Sequence, residues 1–263
     1  MSFFDAALLG IIQGLTEFFP VSSSGHLILI REFFGLQEGN GLAFDAIIHL
    51  GTLVAVIWVL RKDIKSIIFG LFHKQGYEDF HHLAWILLLA TIPAGLIGFF
   101  FADTIETRLR APSVVAWSLL IWGIALYLVD RHSDHQKKSV ISIGWLSSSL
   151  IGLSQAIALI PGTSRSGITI TAGRFLKLDR STATRFSFLL SVPIITAAGL
   201  FKFIEILKTR ESLEYYFLIG FFMAIISGIF AISFLLKLVQ TRGYLSFAIY
   251  RIILALVLFW IFK

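Results

Sequence analysis

A chain of 263 residues that is 57% hydrophobic and only 14% charged, with a mean hydropathy of +0.85, is too apolar for a soluble globule, in which about 25% of residues are charged. The absence of cysteine excludes a disulfide framework and any thiolate metal or redox centre. The formal charge of +6 is scattered over short loops, which speaks against nucleic acid and for anionic lipid headgroups as its counterpart. No basic segment followed by a small-residue cleavage site opens the chain, so no removable signal peptide is expected.

Taken in order, residues 3–19 are apolar and stop at Pro20, and 27–34 follow a serine run and stop at Gly35. Neither stretch reaches the roughly 20 residues a transmembrane helix needs. Joined by the polar turn, they predict a re-entrant hairpin, whose irregular backbone must be satisfied by protein or a water-filled cavity. Spans are predicted over 44–60, 83–101 and 114–129, separated by charged loops at 61–81 and 102–112. The stretch DRHSDHQKK at 130–138 reads as a linker. The second half opens with 144–160, broken by Pro161, and 168–178, a second hairpin; spans over 186–207, 215–236 and 245–262 complete the chain.

A shift of 142 positions aligns Gly10 with Gly152, Gln13 with Gln155, Ser22 with Ser164, Ser24 with Ser166, Gly25 with Gly167 and Phe44 with Phe186. The expected fold is therefore an all-α polytopic membrane protein, one integral-membrane domain over 1–263. It comprises six transmembrane helices plus two re-entrant helical hairpins, in repeats over about 1–130 and 143–263. Three crossings per half invert the second repeat, and inverted repeats with broken helices meet at the midplane around their ligand. Of the 22 Lys and Arg, 13 fall on the side reached after the first span and 7 on the other, with Arg165 and Arg251 intramembrane. The positive-inside bias then puts both termini outside.

Charged side chains at bilayer depth cost about 2.5–3.5 kcal/mol each on insertion scales and mark pathways or sites. Gln13 and Glu17 share a helix face, four residues apart. Glu17 reads as metal ligand, general base or orienter of a histidine, with a structural ion pair to Arg165 as the bland alternative. Ser22, Ser23, Ser24, Gly25 and His26 supply hydroxyls, a turn and an imidazole, the parts of a base-activated nucleophile. Gly162, Thr163, Ser164, Arg165, Ser166 and Gly167 read as an anion nest around a guanidinium whose planar fork matches phosphate oxygens. At matching repeat positions Leu159 replaces Glu17 and Arg165 replaces Ser23, so each half brings one sign of charge. Asp45 and His49 are accessory candidates that line the site, relay protons or simply hydrogen-bond between helices. His73, His81, His82, His132 and His135 lie in predicted loops and are given no role.

At Gln13-Gly14-Leu15-Thr16-Glu17, Pro20-Val21-Ser22-Ser23-Ser24-Gly25-His26, and Pro161-Gly162-Thr163-Ser164-Arg165-Ser166 with Thr169, the chain resembles the bacterial undecaprenyl-diphosphate phosphatase family. That resemblance implies hydrolysis of a polyprenyl diphosphate to the monophosphate and inorganic phosphate, recycling the carrier for cell-wall synthesis and conferring bacitracin tolerance. It also implies a divalent cation (Mg or Ca) and a site open to the outer face of the cytoplasmic membrane. By matched position, Glu17, Ser23, His26, Ser164 and Arg165 form the catalytic set. Ser22, Ser24, Gly25, Gly162, Thr163, Ser166 and Gly167 bind substrate, and Glu17 and Gln13 hold the metal. Many relatives carry Glu where this chain has Gln13, and an amide binds metal less strongly and cannot act as a base. Ser23 attacking with His26 as base is the preferred chemistry; attack by His26 or by water stays open, as does a homodimer. The alternative is a transporter or flippase of an anionic polyprenyl lipid. The other lipid-phosphatase pattern, which needs His six residues after its Arg, fails at Thr171.

Overall fold

The computed structural model describes residues 1–36, 41–73, 75–132, 139–209 and 214–262, leaving out the side chains of 41, 42, 103, 106, 203 and 205–209. Residues 133–138 of the expected linker, with His135, lie outside that description. Among the described residues the fold is α-helical with no strand. In chain order the helices are α1 (Phe3–Phe18), α2 (Ser23–Phe34), α3 (Gly41–Val59), α4 (Arg61–Phe72), α5 (Glu78–Phe100) and α6 (Ala102–Arg108). There follow α7 (Pro112–His132), α8 (Trp145–Ile157), α9 (Arg165–Phe175), α10 (Arg180–Thr209), α11 (Tyr215–Leu238) and α12 (Leu245–Ile261).

Four of these, α5, α7, α10 and α11, are long and apolar enough to cross a membrane, and a fifth span results if α3 and α4 are counted as one. This is a multi-pass membrane protein. The apolar part of α3 and the whole of α12 are shorter than the other expected spans. The segment expected as a charged loop after α3 is instead helix α4, bent by 88° from α3. Its charges, Arg61, Lys62, Asp63 and Lys65, fall in its first five residues, and the rest of the helix is mostly apolar. Gly70 lets α4 lie against the backbone of α5, where a Cβ would come within 2.7 Å of the His81 N. A bidentate Asp63–Arg185 pair ties α4 to α10. The loop expected after α5 likewise contains the short helix α6.

The two short helix pairs are locked into the remainder by small residues. α1 packs along α11 and α8 along α5, so each broken pair lies against a long helix from the other half of the chain. At the first contact Gly10 faces the Gly220 carbonyl; at the second Gly152 faces the Ala90 carbonyl. In both, the backbones approach too closely for a side chain. Small residues permit such approach where helices associate by packing rather than by expelling water.

A polar knot closes one end. Asp130, expected in the linker, is buried and accepts from Arg174 Nε (3.0 Å), from Arg180 Nε and Nη2 (2.8 and 3.0 Å) and from the Tyr244 N–H (3.2 Å). One carboxylate thus joins the ends of α7, α9, α10 and α12.

Candidate active site

Each broken pair turns on a serine. Pro20 pushes Phe19 into the extended region (ψ 140°), ending α1. Ser22 then takes φ 75° and ψ 96° and N-caps α2 by accepting from the Gly25 N–H at 3.3 Å. In the second pair, after Pro161, Gly162 adopts φ 90° and Ser164 takes φ 72° and ψ 114°. The Ser164 hydroxyl accepts from the Gly167 N–H at 3.0 Å. Positive φ in a non-glycine residue is strained and persists only when its surroundings enforce it. Those surroundings are the opposite turn. The Ser22 hydroxyl accepts from the Gly162 N–H at 3.1 Å, and the Ser166 hydroxyl donates to the Phe19 carbonyl at 3.1 Å. Arg251 of α12, fully buried, donates to the carbonyls of Pro20 (3.0 Å), Gly162 (3.0 Å) and Thr163 (2.8 Å).

The capped helices therefore begin with Ser23 and Arg165, side by side. Glu17, 7% exposed, reaches them from the last turn of α1. Its Oε1 accepts from Arg165 Nη2 at 2.9 Å. Its Oε2 accepts from Ser23 Oγ at 2.6 Å and from Gln13 Nε2 at 3.0 Å. A second guanidinium nitrogen of Arg165 donates to the Ser187 carbonyl at 3.1 Å. The pair is thus held on both sides, as a buried ion pair must be to offset its desolvation. Both helix N-termini, α2 and α9, carry the positive end of their dipoles to this point.

The sequence candidates divide accordingly. Glu17, Ser22, Ser23, Ser24, Ser164 and Arg165 line a cavity of about 330 Å³, the size of a small-molecule site. Asp45 and His49 also line it. The Asp45 carboxylate is taken by a bidentate pair with Arg31 at 2.7 Å. His49 donates from Nδ1 to the Asp45 carbonyl at 2.7 Å, which leaves Nε2 facing Glu17 Oε2 at 3.7 Å. Gln13 sits behind Glu17 rather than on the cavity.

His26 is elsewhere. Its Nδ1–H donates to the Ser22 carbonyl at 2.7 Å and its Nε2 accepts from the Tyr250 hydroxyl at 2.6 Å. The expected Ser23–His26 dyad is not what the geometry offers, because the serine hydrogen goes to Glu17 and the imidazole braces the turn. The expected glycine-exposed anion nest differs for a similar reason. The N–H groups of Gly25 and Gly167 go to the capping serines of their own turns, the Gly162 N–H and the Ser166 hydroxyl tie the two turns together, and Gly167 packs where a Cβ would meet Arg251 at 2.7 Å. Thr163 is buried beside them, its hydroxyl without a partner among the described residues.

Sequence reasoning missed Arg251 and Tyr250 as the braces of the turns, though a lone arginine inside an apolar helix was signal enough for the first. It also missed Gln155, Arg110 and Lys202 as cavity residues.

A helical, multi-pass membrane protein with a buried carboxylate joined to a serine and a guanidinium on a cavity wall is the class that fold and site define. The family model described as bacitracin resistance protein BacA matches residues 6–257, and the chain belongs to that family. It is 42% identical to the undecaprenyl-diphosphatase of Teredinibacter turnerae, over 98% of this chain and 99% of the relative. It is 43% identical to that of Marinobacter nauticus, over 98% of both chains. Undecaprenyl-diphosphatase 2 of Stutzerimonas stutzeri is 42% identical, over the whole of this chain and 99% of the relative.

Proposed function

We propose that this cavity is where the chain dephosphorylates undecaprenyl diphosphate, releasing the monophosphate and inorganic phosphate and returning the lipid carrier to cell-wall synthesis. The observation that carries the reading is the chain of contacts Arg165–Glu17–Ser23, at 2.9 and 2.6 Å, which gives a cation for the phosphate, a base and a nucleophile in one place. A structural ion pair alone would not need the hydroxyl directed at its carboxylate.

Ser23 Oγ attacks the terminal phosphorus while its proton passes to Glu17 Oε2. The bond from that phosphorus to the bridging oxygen breaks, and the prenyl monophosphate leaves with the electron pair. Glu17 gives that proton up through His49, then takes the proton of the water that attacks the phosphoserine and returns it to Ser23 Oγ as the P–Oγ bond breaks and inorganic phosphate departs. Arg165 shares charge with the equatorial oxygens, which is most of what phosphoryl transfer asks of a protein. His49, 3.7 Å from Glu17 Oε2, is placed to pass that proton onward. His26 holds the turn.

A divalent ion belongs to the proposal. Glu17, on the cavity wall, would hold it, and Gln13, whose buried amide oxygen has no partner among the described residues, would support it from behind Glu17. Among the described residues no three of His, Cys, Asp and Glu gather to bind one unaided. One carboxylate completed by substrate phosphate oxygens is the usual arrangement for Mg²⁺. When bound, the ion spreads the charge of the two phosphates.

The finer topology proposed is six crossings and two half-crossing pairs in inverted repeats, in the cytoplasmic membrane. Both termini and the site face outward, and a homodimer is compatible with this arrangement. The equivalent positive-φ serines at a spacing of 142 support the repeat. The test is phosphate release from a C55 diphosphate by the purified chain in detergent with Mg²⁺ or Ca²⁺. Release is expected from wild type and its loss from Arg165→Ala. Lipid binding without release under any divalent ion would favour transport instead.

A further inference from the structure

Gln155 lies near the end of α8, is 2% exposed, and lines the same cavity as Glu17, Ser23 and Arg165. Among the described residues neither its Nε2 nor its Oε1 has a hydrogen-bond partner. A primary amide carries two donors and an acceptor, and burying all of them unpaired is costly. The repeat explains how the amide came to be free. In the first half Gln13 donates to Glu17, four residues on; in the second, the residue four beyond Gln155 is Leu159, which also lines the cavity and offers nothing. The amide is preserved and its internal acceptor is gone.

What enters beside it is anionic. The lining carries three cations, Arg110, Arg165 and Lys202, against two carboxylates, and one of those, Asp45, is held by Arg31. An amide suits such a ligand better than another cation does. Its N–H donates to a phosphate oxygen, while its carbonyl accepts from the P–OH of a singly protonated phosphate.

We propose that Gln155 is a substrate-binding residue, the headgroup contact contributed by the second half, taking phosphate oxygens on the side of the cavity away from Gln13. The inference rests on the diphosphatase reading. It predicts that the same amide binds the inorganic phosphate product.

The experiment uses the full-length chain in detergent as wild type, Gln155→Leu and Gln155→Glu. Thermal melting is measured with and without inorganic phosphate, alongside KM and kcat for a polyprenyl diphosphate. Phosphate binding to the folded state raises the wild-type Tm. In Gln155→Leu that rise should vanish, while the Tm without phosphate stays level or climbs because an unpaired buried amide is gone. KM should rise about tenfold, with kcat within about threefold, the tenfold corresponding to about 1.4 kcal/mol. Gln155→Glu, which sets a carboxylate against the headgroup, should raise KM further. Wild-type KM and phosphate response in Gln155→Leu, or a lower Tm with unchanged KM, would overturn the assignment. If that variant does not fold, a wild-type KM in Gln155→Glu overturns it equally. A wild type that shows the Gln155-dependent phosphate response but hydrolyses no diphosphate would sink the enzymatic reading and leave the anion contact standing.

Discussion

Glu17→Gln tests the site most directly, because the substitution keeps the shape of the side chain and changes one atom's role. The retained oxygen still accepts from Arg165 at the position now 2.9 Å away. Where Oε2 stood, an NH₂ group faces two donors, Ser23 Oγ and Gln13 Nε2, at 2.6 and 3.0 Å. Gln13 escapes by turning its amide, since its Oε1 has no other partner among the described residues. Ser23 escapes only by reversing its hydroxyl to accept, and its proton then has no base. Arg165 loses its counter-charge, but keeps that oxygen and the Ser187 carbonyl. The stability loss should therefore fall at or below the low end of the about 3–5 kcal/mol usual when one member of a buried pair is removed. Turnover should suffer far more. Loss of general-base action is worth about 10²–10⁴ in rate, so kcat at saturating diphosphate should drop by that factor while KM moves only a few-fold. Phosphate release by a variant whose melting and gel-filtration profiles show it folded is the assay. A kcat within tenfold of wild type would refute the assignment of Glu17 as base; a loss confined to KM would make it a binding group only.

The two histidines should separate in the opposite sense to their sequence motifs. His49→Ala, which removes the imidazole beside Glu17, should lower kcat more than His26→Ala, which removes only the brace between Ser22 and Tyr250; kinetics of the two variants side by side decide it. Arg251→Met leaves three turn carbonyls without their donor. At about 1 kcal/mol or more apiece this costs about 3 kcal/mol, which scales to a fall in Tm of roughly 6–12 °C by thermal melting. Gly152→Val puts a side chain where the Ala90 backbone lies, so α8 must leave α5; the variant should express poorly or melt early, whereas the same change at Gly95, with nothing nearby, should not.

The nearness of Glu17 and Arg165 was readable because a polar residue in an apolar run is costly enough to demand a reason, and because the shift of 142 set the two turns in equivalent places. The use of the turn residues was not readable. Three serines before a glycine spell a turn, but which hydroxyl caps and which stays free depends on the opposite turn, 140 residues on, where the Gly162 N–H claims Ser22. His26 was misplaced for the same reason, since Tyr250 approaches it from α12, 224 residues away. Asp130 stands at the head of a run that looks solvated, and only Arg174 and Arg180, 44 and 50 positions on, bury it. α4 was hidden because its charges read as a loop, although Ile64, Ile67, Ile68 and Leu71 follow helical spacing.

The Glu17–Arg165 pair spans 148 positions, and that distance is also an interval of time. At roughly 5–20 residues per second, a ribosome needs about 7–30 s to deliver the arginine after the glutamate. Until then the emerging N-terminal portion holds an acid with no counterion, in a segment too short to cross the bilayer and without the long helix it later leans on. Biogenesis must therefore keep that portion near water or an insertion partner, and a half-length fragment, though it carries the whole first motif, has no assembled centre.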